Sequence, residues 1–479
     1  MIAAFAMRYL LTILTLLAAS LTPALSEGRF PHILIILVDD MGYGDLGAYN
    51  SSSKIATPHL DKLGREGIRF TDAHAPGPLC HLSRYGLLTG RYPFRANTAA
   101  WRRQPSIKEG QITIASLLKN KGYNTAMVGK WHLGFREDGY DKPLSGGPVD
   151  VGFNSFFGIR ASTDIPPYFY IRGSRAVQQP TNKITANNSD GWSRIQGAFW
   201  RAGGIAPDLK LAEVLPRFTD EAISVIKSHS PSDPKPLFLY LAYPAPHTPW
   251  LPSREFKGKT GAGMYGEFCS MVDAEVGSVL KALEEQQLES ETMVIFTSDN
   301  GPVWYDADVT RFGHDSAGGL RGMKADAWEA GHRMPFLIRW PGIVKPESSS
   351  SRLICFTDLM ATFAELTGTK LPGDGVLDSE SFLPAPTNPS AGQVPRGPIV
   401  MKAGSGAMLI REGKWKLIDQ LGSGGFSSPK RVRPTKGGPE GQLYDLSKDP
   451  SEKTNLWSEY PELVRSLRKR LKQIAGSSP

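Results

Sequence analysis

Runs of apolar residues that stop abruptly at small clusters of polar ones organise most of this chain. Ile33–Val38 is an unbroken aliphatic run ending in Asp39-Asp40-Met41-Gly42. Apolar on both faces, it predicts a buried parallel strand with two acids at its carboxyl end. Tyr123–Gly129 predicts a strand running into Lys130-Trp131-His132, and Leu237–Tyr243 one running into Pro244-Ala245-Pro246-His247. Met293–Thr297 reads the same way and ends in Ser298-Asp299-Asn300-Gly301. Between these runs the spacing becomes helical. Thr57–Glu66 has Thr57 as N-cap and Pro58 at the first helical position. Thr113–Asn120, Thr219–His229 and Glu267–Glu285 are further amphipathic helices. Strands alternating with helices predict an α/β fold, a large mostly parallel sheet sandwiched by helices. Ligands of such sheets bind beyond the carboxyl ends of the strands, where these polar clusters fall.

Other stretches lack a period. Arg160–Leu211 is rich in aromatics, glycine and proline and reads as loops over the site. Pro384–Gly397 is a linker by composition. Beyond it, Ile399–Lys402, Ala407–Ile410 and Lys414–Ile418 predict hairpin strands, Gly422–Gly438 a basic flexible stretch, and Pro461–Ile474 a closing helix. These form a small α+β domain carrying an antiparallel sheet. The expected organisation is a signal peptide at 1–26, a catalytic α/β domain at 27–385 and the small domain at 398–479.

Composition narrows the class. The chain has 479 residues, 40% hydrophobic and 21% charged, enough to bury a large core. Its formal charge of +8 is mild and no long Lys/Arg run occurs, so nucleic acid is not an expected partner. Cys80, Cys269 and Cys355 are the only cysteines, which excludes a disulfide scaffold and a four-cysteine metal site. Arg8, the apolar run Tyr9–Ala19 and the small residues Ala24 and Ser26 predict a leader cleaved after Ser26. The run is short for a membrane span, so an exported protein, periplasmic or secreted and without stable membrane insertion, is expected, an uncleaved anchor being the alternative.

The polar clusters carry candidate chemistry. Asp39, Asp40, Asp299 and Asn300 offer four oxygen ligands, a set suited to Ca²⁺ or Mg²⁺ rather than zinc. Lys130 and His132, two apart in an extended segment, face one side, where a lysine can hold an anion and a histidine can move a proton. His247 sits in a rigid proline-rich turn. Lys324 lies in the glycine-rich run Gly318–Lys324, which can bring amides and an ammonium to an anion. Cys80 precedes an apolar segment and has Arg84 nearby. At a helix start it would have a lowered pKa and serve as a nucleophile, or else be a buried structural thiol.

Taken together these segments resemble the type I sulfatase family of the alkaline-phosphatase-like superfamily. The likeness rests on Val38–Gly47, on Ser83-Arg84 followed by Leu88-Thr89-Gly90-Arg91, on Gly129–Gly134 and on Thr297–Gly301, running from Ile33 to about Gly342. It resumes in Leu443–Glu452. The resemblance implies that a maturation enzyme converts Cys80 to Cα-formylglycine, whose hydrate attacks the sulfur of a sulfate ester. Arg84 would activate that nucleophile, His247 protonate the leaving oxygen, and His132 take up a proton as the aldehyde re-forms. Lys130 and Lys324 would neutralise sulfate oxygens. Asp39, Asp40, Asp299, Asn300 and the modified Cys80 would bind Ca²⁺. The implied substrate is an aryl sulfate or a sulfated glycan, notably 6-O-sulfated galactose or N-acetylgalactosamine. Gly331–Pro335 and Asp374–Glu380 point to the bacterial glycan branch.

One position departs from the family's Cys-x-Pro/Ala-x-Arg pattern, since Leu82 occupies the third place. Proline there lowers the entropy lost when the maturation enzyme binds the segment extended, so Leu82 is expected to slow conversion of Cys80 or to require a more tolerant maturation enzyme. Two other functions stay open at this point: a phosphoester or phosphonate hydrolase of the same superfamily, and a sulfated-glycan-binding protein with Cys80 unconverted. Trp200, Trp304, Tyr305 and Tyr168 are candidates to stack on a sugar, or else loop anchors. His314 and Asp315 are candidates to reach substrate hydroxyls.

Overall fold

The computed structural model describes residues 30–372, 378–383, 387 and 395–476. The expected leader, the middle of the linker and most of Asp374–Glu380 lie outside the described residues. A ten-stranded sheet forms the centre. Its middle is Thr292–Ser298, His32–Asp39, Leu237–Pro246, Asn124–Lys130 and Ser155–Ile159, side by side and all parallel. Every residue of His32–Asp39 and of Leu237–Pro246 is buried, as the unbroken apolar runs require for strands covered on both faces. The flanks are mixed: Phe336–Arg339 runs antiparallel to both its neighbours, and so does Ile171–Arg172. The sheet is therefore parallel at its core and mixed toward its edges, where the outermost pair on one side, Ser348–Ser350 with Ile68–Phe70, is again parallel.

Two sets of helices cover it. Pro58–Arg65, Val214–Ser228 and Gly263–Glu285 pack together, and Cys80–Thr89, Ile114–Asn120 and Leu359–Leu366 form the other group. Ile114–Asn120 starts as its sequence demands: Thr113 and Ser116 cap each other's backbone N–H groups in a reciprocal box. Val214–Ser228 begins five residues before the expected Thr219, because Pro216 lies in the first turn, where a missing N–H costs nothing. Thr57 precedes Pro58–Arg65 without capping it; its hydroxyl goes to Asp61 instead, at 3.1 Å.

The C-terminal sheet is four antiparallel strands, Ile399–Lys402, Met408–Glu412, Trp415–Ile418 and Gln442–Asp445, crossed by the helix Pro461–Gly476. It has its own apolar cluster, which Tyr92, Trp328 and Cys355 of the larger part also enter. Beside it lies a buried ionic network. Lys416 reaches Glu329 (3.0 Å), Glu452 (2.9 Å) and His332 Nε2 (3.1 Å), and His332 Nδ1 meets His74 Nδ1 at 2.9 Å. The Gly331–Pro335 motif thus ties the two sheets together. Gly422–Gly438 is not uniformly loose either: the carbonyl of Ser423 accepts the N–H of Ala327 at 2.7 Å, and a Cβ on Gly425 would lie 2.2 Å from the backbone of Ala325. Among the described residues no helix is long and apolar enough to cross a membrane.

Candidate active site

Register builds the site. Val38 pairs with Ser298, so Asp39-Asp40 and Asp299-Asn300 leave adjacent strands at the same level. On the other side Asp39 pairs with Pro246 across an irregularity, which brings His247 to the same edge. Ala242 pairs with Gly129, one residue before Lys130. Gly129 has φ of +117°, and a Cβ there would lie 2.0 Å from the carbonyl of Ala242, so only glycine lets these strands meet. The chain then turns sharply: Asp40 and His132 both have positive φ, 66° and 59°. Non-glycine residues hold that conformation only where their surroundings over-determine it, a frequent mark of functional sites.

Cys80 opens the helix Cys80–Thr89. Its Sγ is 3.4 Å from Asp39 Oδ1 and accepts a contact from Lys324 Nζ at 3.2 Å. Arg84 follows one helical turn later on the same face. Its guanidinium is fully buried and donates to Asp299 (2.9 Å), to Asp39 (3.2 Å) and to the carbonyl of Lys130 (2.8 Å). The Lys130 ammonium pairs with Asp39, and Lys324 Nζ lies 2.5 Å from Asp40 Oδ1. His247 Nδ1 donates to the carbonyl of Thr248 at 2.7 Å, which turns Nε2 toward Asp40 Oδ2, 3.7 Å away. Asp39, Asp40, Asp299, Cys80, Arg84, Lys130, Lys324 and His247 therefore form one constellation, with Asn300 against Asp40 and His132 lining the same pocket.

The electrostatics follow from crowding. Burial pushes the Asp39 carboxyl up, but Lys130, His247, Arg84 and Lys324 outweigh it and hold Asp39 well below the usual carboxylate range. Asp299 is pushed up to about 6 by burial and by the neighbouring Asp39, against the pull of Arg84 and Lys130. Burial, with Lys130 and other cations, drives His132 well below its ordinary value, so its imidazole is neutral. The Cys80 thiol corrects an expectation. It is raised, by burial and by Asp39, despite Lys130 and Lys324. A helix start near an arginine does not acidify a thiol that is fully buried with a carboxylate 3.4 Å away.

The donor set fits a hard cation. Ligand atoms of Asp39, Asp40, Cys80 and His247 all lie within 4.8 Å of one another. Asn300 donates from Nδ2 to Asp40 at 2.6 Å, while its buried Oδ1 has no hydrogen-bond partner among the described residues. A buried amide oxygen without a donor, beside three carboxylates, is what a Ca²⁺ or Mg²⁺ site offers.

This cluster floors a cavity of about 250 Å³ walled by Trp101, His132 and Phe426 among others. Its mouth carries Arg102, Asp164 and Arg201, with Arg201 paired to Asp164. Arg102 closes the short 3₁₀ helix Thr98–Arg102 and the other two sit in irregular segments, and no hydrophobic periodicity marks any of them. The aromatic candidates are loop anchors instead. Trp304 is buried and donates to the carbonyl of His314 (2.9 Å), Tyr168 to that of Arg201 (2.7 Å) and Trp200 to that of Thr185 (2.9 Å). Tyr305 starts the helix Asp306–Phe312. His314 is buried against Asp45 at 2.8 Å, and Asp315 caps the turn through Ala317 and Gly319, so neither faces the cavity.

Buried lysines and an acid cluster beyond the carboxyl ends of a mostly parallel sheet are groups suited to an α/β enzyme acting on an anionic ester. The particular family follows from comparison. The family model described as Sulfatase matches residues 31–369. The chain is 34% identical over 484 residues to the N-acetylgalactosamine-6-O-sulfatase of Bacteroides thetaiotaomicron, covering 93% of each. It is 32% identical over 487 residues to human arylsulfatase A, covering 96% of this chain and 89% of that one. A solved structure from work on the metabolism of multiple glycosaminoglycans by Bacteroides thetaiotaomicron superposes with a TM-score of 0.82 at 31% identity, across 94% of this chain and all of the other. The chain belongs to the sulfatase family and is a sulfuric ester hydrolase.

Proposed function

We propose that this sulfatase removes sulfate from a sulfated carbohydrate, with 6-O-sulfated galactose or N-acetylgalactosamine as its substrate class and aryl sulfates as simpler substrates. The single observation that carries this is the convergence of Cys80, Arg84, Lys130 and Lys324 on one carboxylate cluster at the floor of one cavity. The likeness to a carbohydrate sulfatase over nearly the whole chain supports the sugar.

In this reading a maturation enzyme converts Cys80 to Cα-formylglycine, and Asp39, Asp40, Asp299, Asn300 and the modified residue hold Ca²⁺. A cation held there would supply positive charge to the site, and the hydrated aldehyde at position 80 would supply the nucleophilic oxygen. The remaining work belongs to the side chains. Arg84, held by Asp39 and Asp299, fixes the acid cluster against the residue at 80. Lys130 and Lys324 neutralise sulfate oxygens as charge redistributes in the transition state. His247, its Nδ1 pinned by Thr248, presents Nε2 to protonate the departing alcohol oxygen. His132, neutral and with Nδ1 unpartnered among the described residues, takes the proton released as sulfate leaves. Residues 1–26 direct export to the periplasm or beyond; 27–385 form the catalytic domain and 398–479 the small one.

The test is sulfate release with Ca²⁺ present from N-acetylgalactosamine 6-sulfate, galactose 6-sulfate and an aryl sulfate, beside the matching phosphate mono- and diesters. Release from the sugar sulfates at higher kcat/KM than from any phosphoester is expected. Preference for the phosphodiester overturns the reading, as does tight binding of the sulfated sugar without release by aldehyde-bearing protein.

A further inference from the structure

A second cavity, of about 310 Å³, adjoins the active-site pocket and shares Leu79 and His81 with it. One wall is the helix start, with Leu82, and the segment around Phe94; the other is the hairpin turn that follows Lys402 in the C-terminal sheet. Leu82 is the residue at which the sequence departs from the family's Pro or Ala. It is only half-buried and belongs to neither apolar cluster of the protein. Room for it is made by Gly77, where a Cβ would lie 2.8 Å from that of Leu82. Phe94 is also half-buried. Lys402 ends the strand Ile399–Lys402, is exposed, and has no ion-pair partner among the described residues. An aliphatic side chain kept out of both cores, an aromatic edge and a free ammonium around one cavity are the ingredients of a sugar site: an apolar ring face to pack and a charge to read.

We propose that this cavity is a second sugar subsite. It takes the residue next to the sulfated one in an oligosaccharide, packing its ring on Leu82 and Phe94 and directing an anionic substituent, sulfate or carboxylate, to Lys402. The proposal rests on the sulfatase reading above. It makes Leu82 a specificity residue, and it makes the enzyme one that reads a chain segment rather than a lone sugar.

Four substrates test it: N-acetylgalactosamine 6-sulfate, the same sugar linked to a neutral neighbour, the same sugar linked to a uronic acid or to a sulfated neighbour, and 4-nitrophenyl sulfate. Wild-type, Lys402→Ala and Leu82→Ala proteins are compared, each rate normalised to the aldehyde fraction at position 80 measured by peptide mass. Wild type should prefer the acidic disaccharide to the monosaccharide in kcat/KM. Lys402→Ala should lose about three- to tenfold on the acidic disaccharide alone, the worth of one charge-assisted contact at an accessible site. Which acidic disaccharide suffers more identifies the anion. Leu82→Ala should lower both disaccharides and spare the monosaccharide and the aryl sulfate. The proposal is overturned if either variant lowers all four substrates alike, or if neither changes any. Failure of the underlying reading looks different: fully converted wild type would release sulfate from none of the four, and the subsite would fall with it.

Discussion

Replacing Lys324 with methionine keeps most of the length of the side chain and deletes its charge. The ammonium is buried, 2.5 Å from Asp40 and 3.2 Å from Cys80 Sγ, and on the proposed reading it faces the sulfate of the ester. A unit charge about 4 Å from a sulfate contributes about 4 kcal/mol at the effective dielectric of partly solvated protein sites. At about 1.4 kcal/mol per tenfold, its loss predicts a fall in kcat/KM of two to three orders of magnitude. The fold should survive, because Asp40 keeps the Asn300 amide at 2.6 Å. The assay is sulfate release under kcat/KM conditions, alongside thermal unfolding and the aldehyde fraction at position 80. Lys324→Arg, which keeps the charge, should recover part of the rate. A folded, aldehyde-bearing Lys324→Met protein with near-normal kcat/KM would refute a role for this lysine at the sulfate.

Other perturbations reach different parts of the account. Chelation should lower activity and thermal stability together, since an ion bound only by the native state at a hundred times its Kd adds about 2.7 kcal/mol; a stripped protein with unchanged Tm and rate would contradict the ligand assignment. Lys416→Met should cost about 3–5 kcal/mol in chemical denaturation by leaving the buried Glu329 and Glu452 without their cation, and a loss under 1 kcal/mol would mean the network does not hold the two sheets together. The pH dependence has a definite sign. Burial and Lys416 hold His332 well below its ordinary 6.5, so below about pH 6.5 the unfolded chain takes up a proton that the folded one resists, and stability falls. His332→Gln should flatten that fall by up to about one proton, about 1.4 kcal/mol per pH unit; an unchanged slope would show that His332 titrates alike in both states.

Much of the site was legible because parallel strands advertise themselves. Aliphatic runs ending in polar pairs marked Asp39-Asp40, Lys130 to His132, His247 and Asp299-Asn300, and strand register does the rest, as Val38 opposite Ser298 demonstrates. The state of Cys80 was not legible in this way. Its helix start and its arginine were visible, but the carboxylate that raises the thiol comes from a strand 41 residues earlier. Trp304 and Tyr168 show a second limit: sequence does not distinguish an aromatic buried to anchor a loop from one offered to a ligand. Trp101, Arg102, Asp164 and Arg201 lie in segments whose course depends on packing over the sheet rather than on any period. Leu82 was conspicuous only as an exception, and its surroundings give it a surface to serve.

The central claim is that the residue at position 80 is an aldehyde when the enzyme works. The direct measurement is the mass of the tryptic peptide Phe70–Arg84, taken from protein made in its native host and assayed for sulfate release in the same preparation. Active protein should yield a peptide in which the thiol sulfur and two hydrogens have been replaced by one oxygen, with activity rising in proportion to that fraction. A peptide carrying only the unmodified thiol, from protein that releases sulfate, would contradict the account.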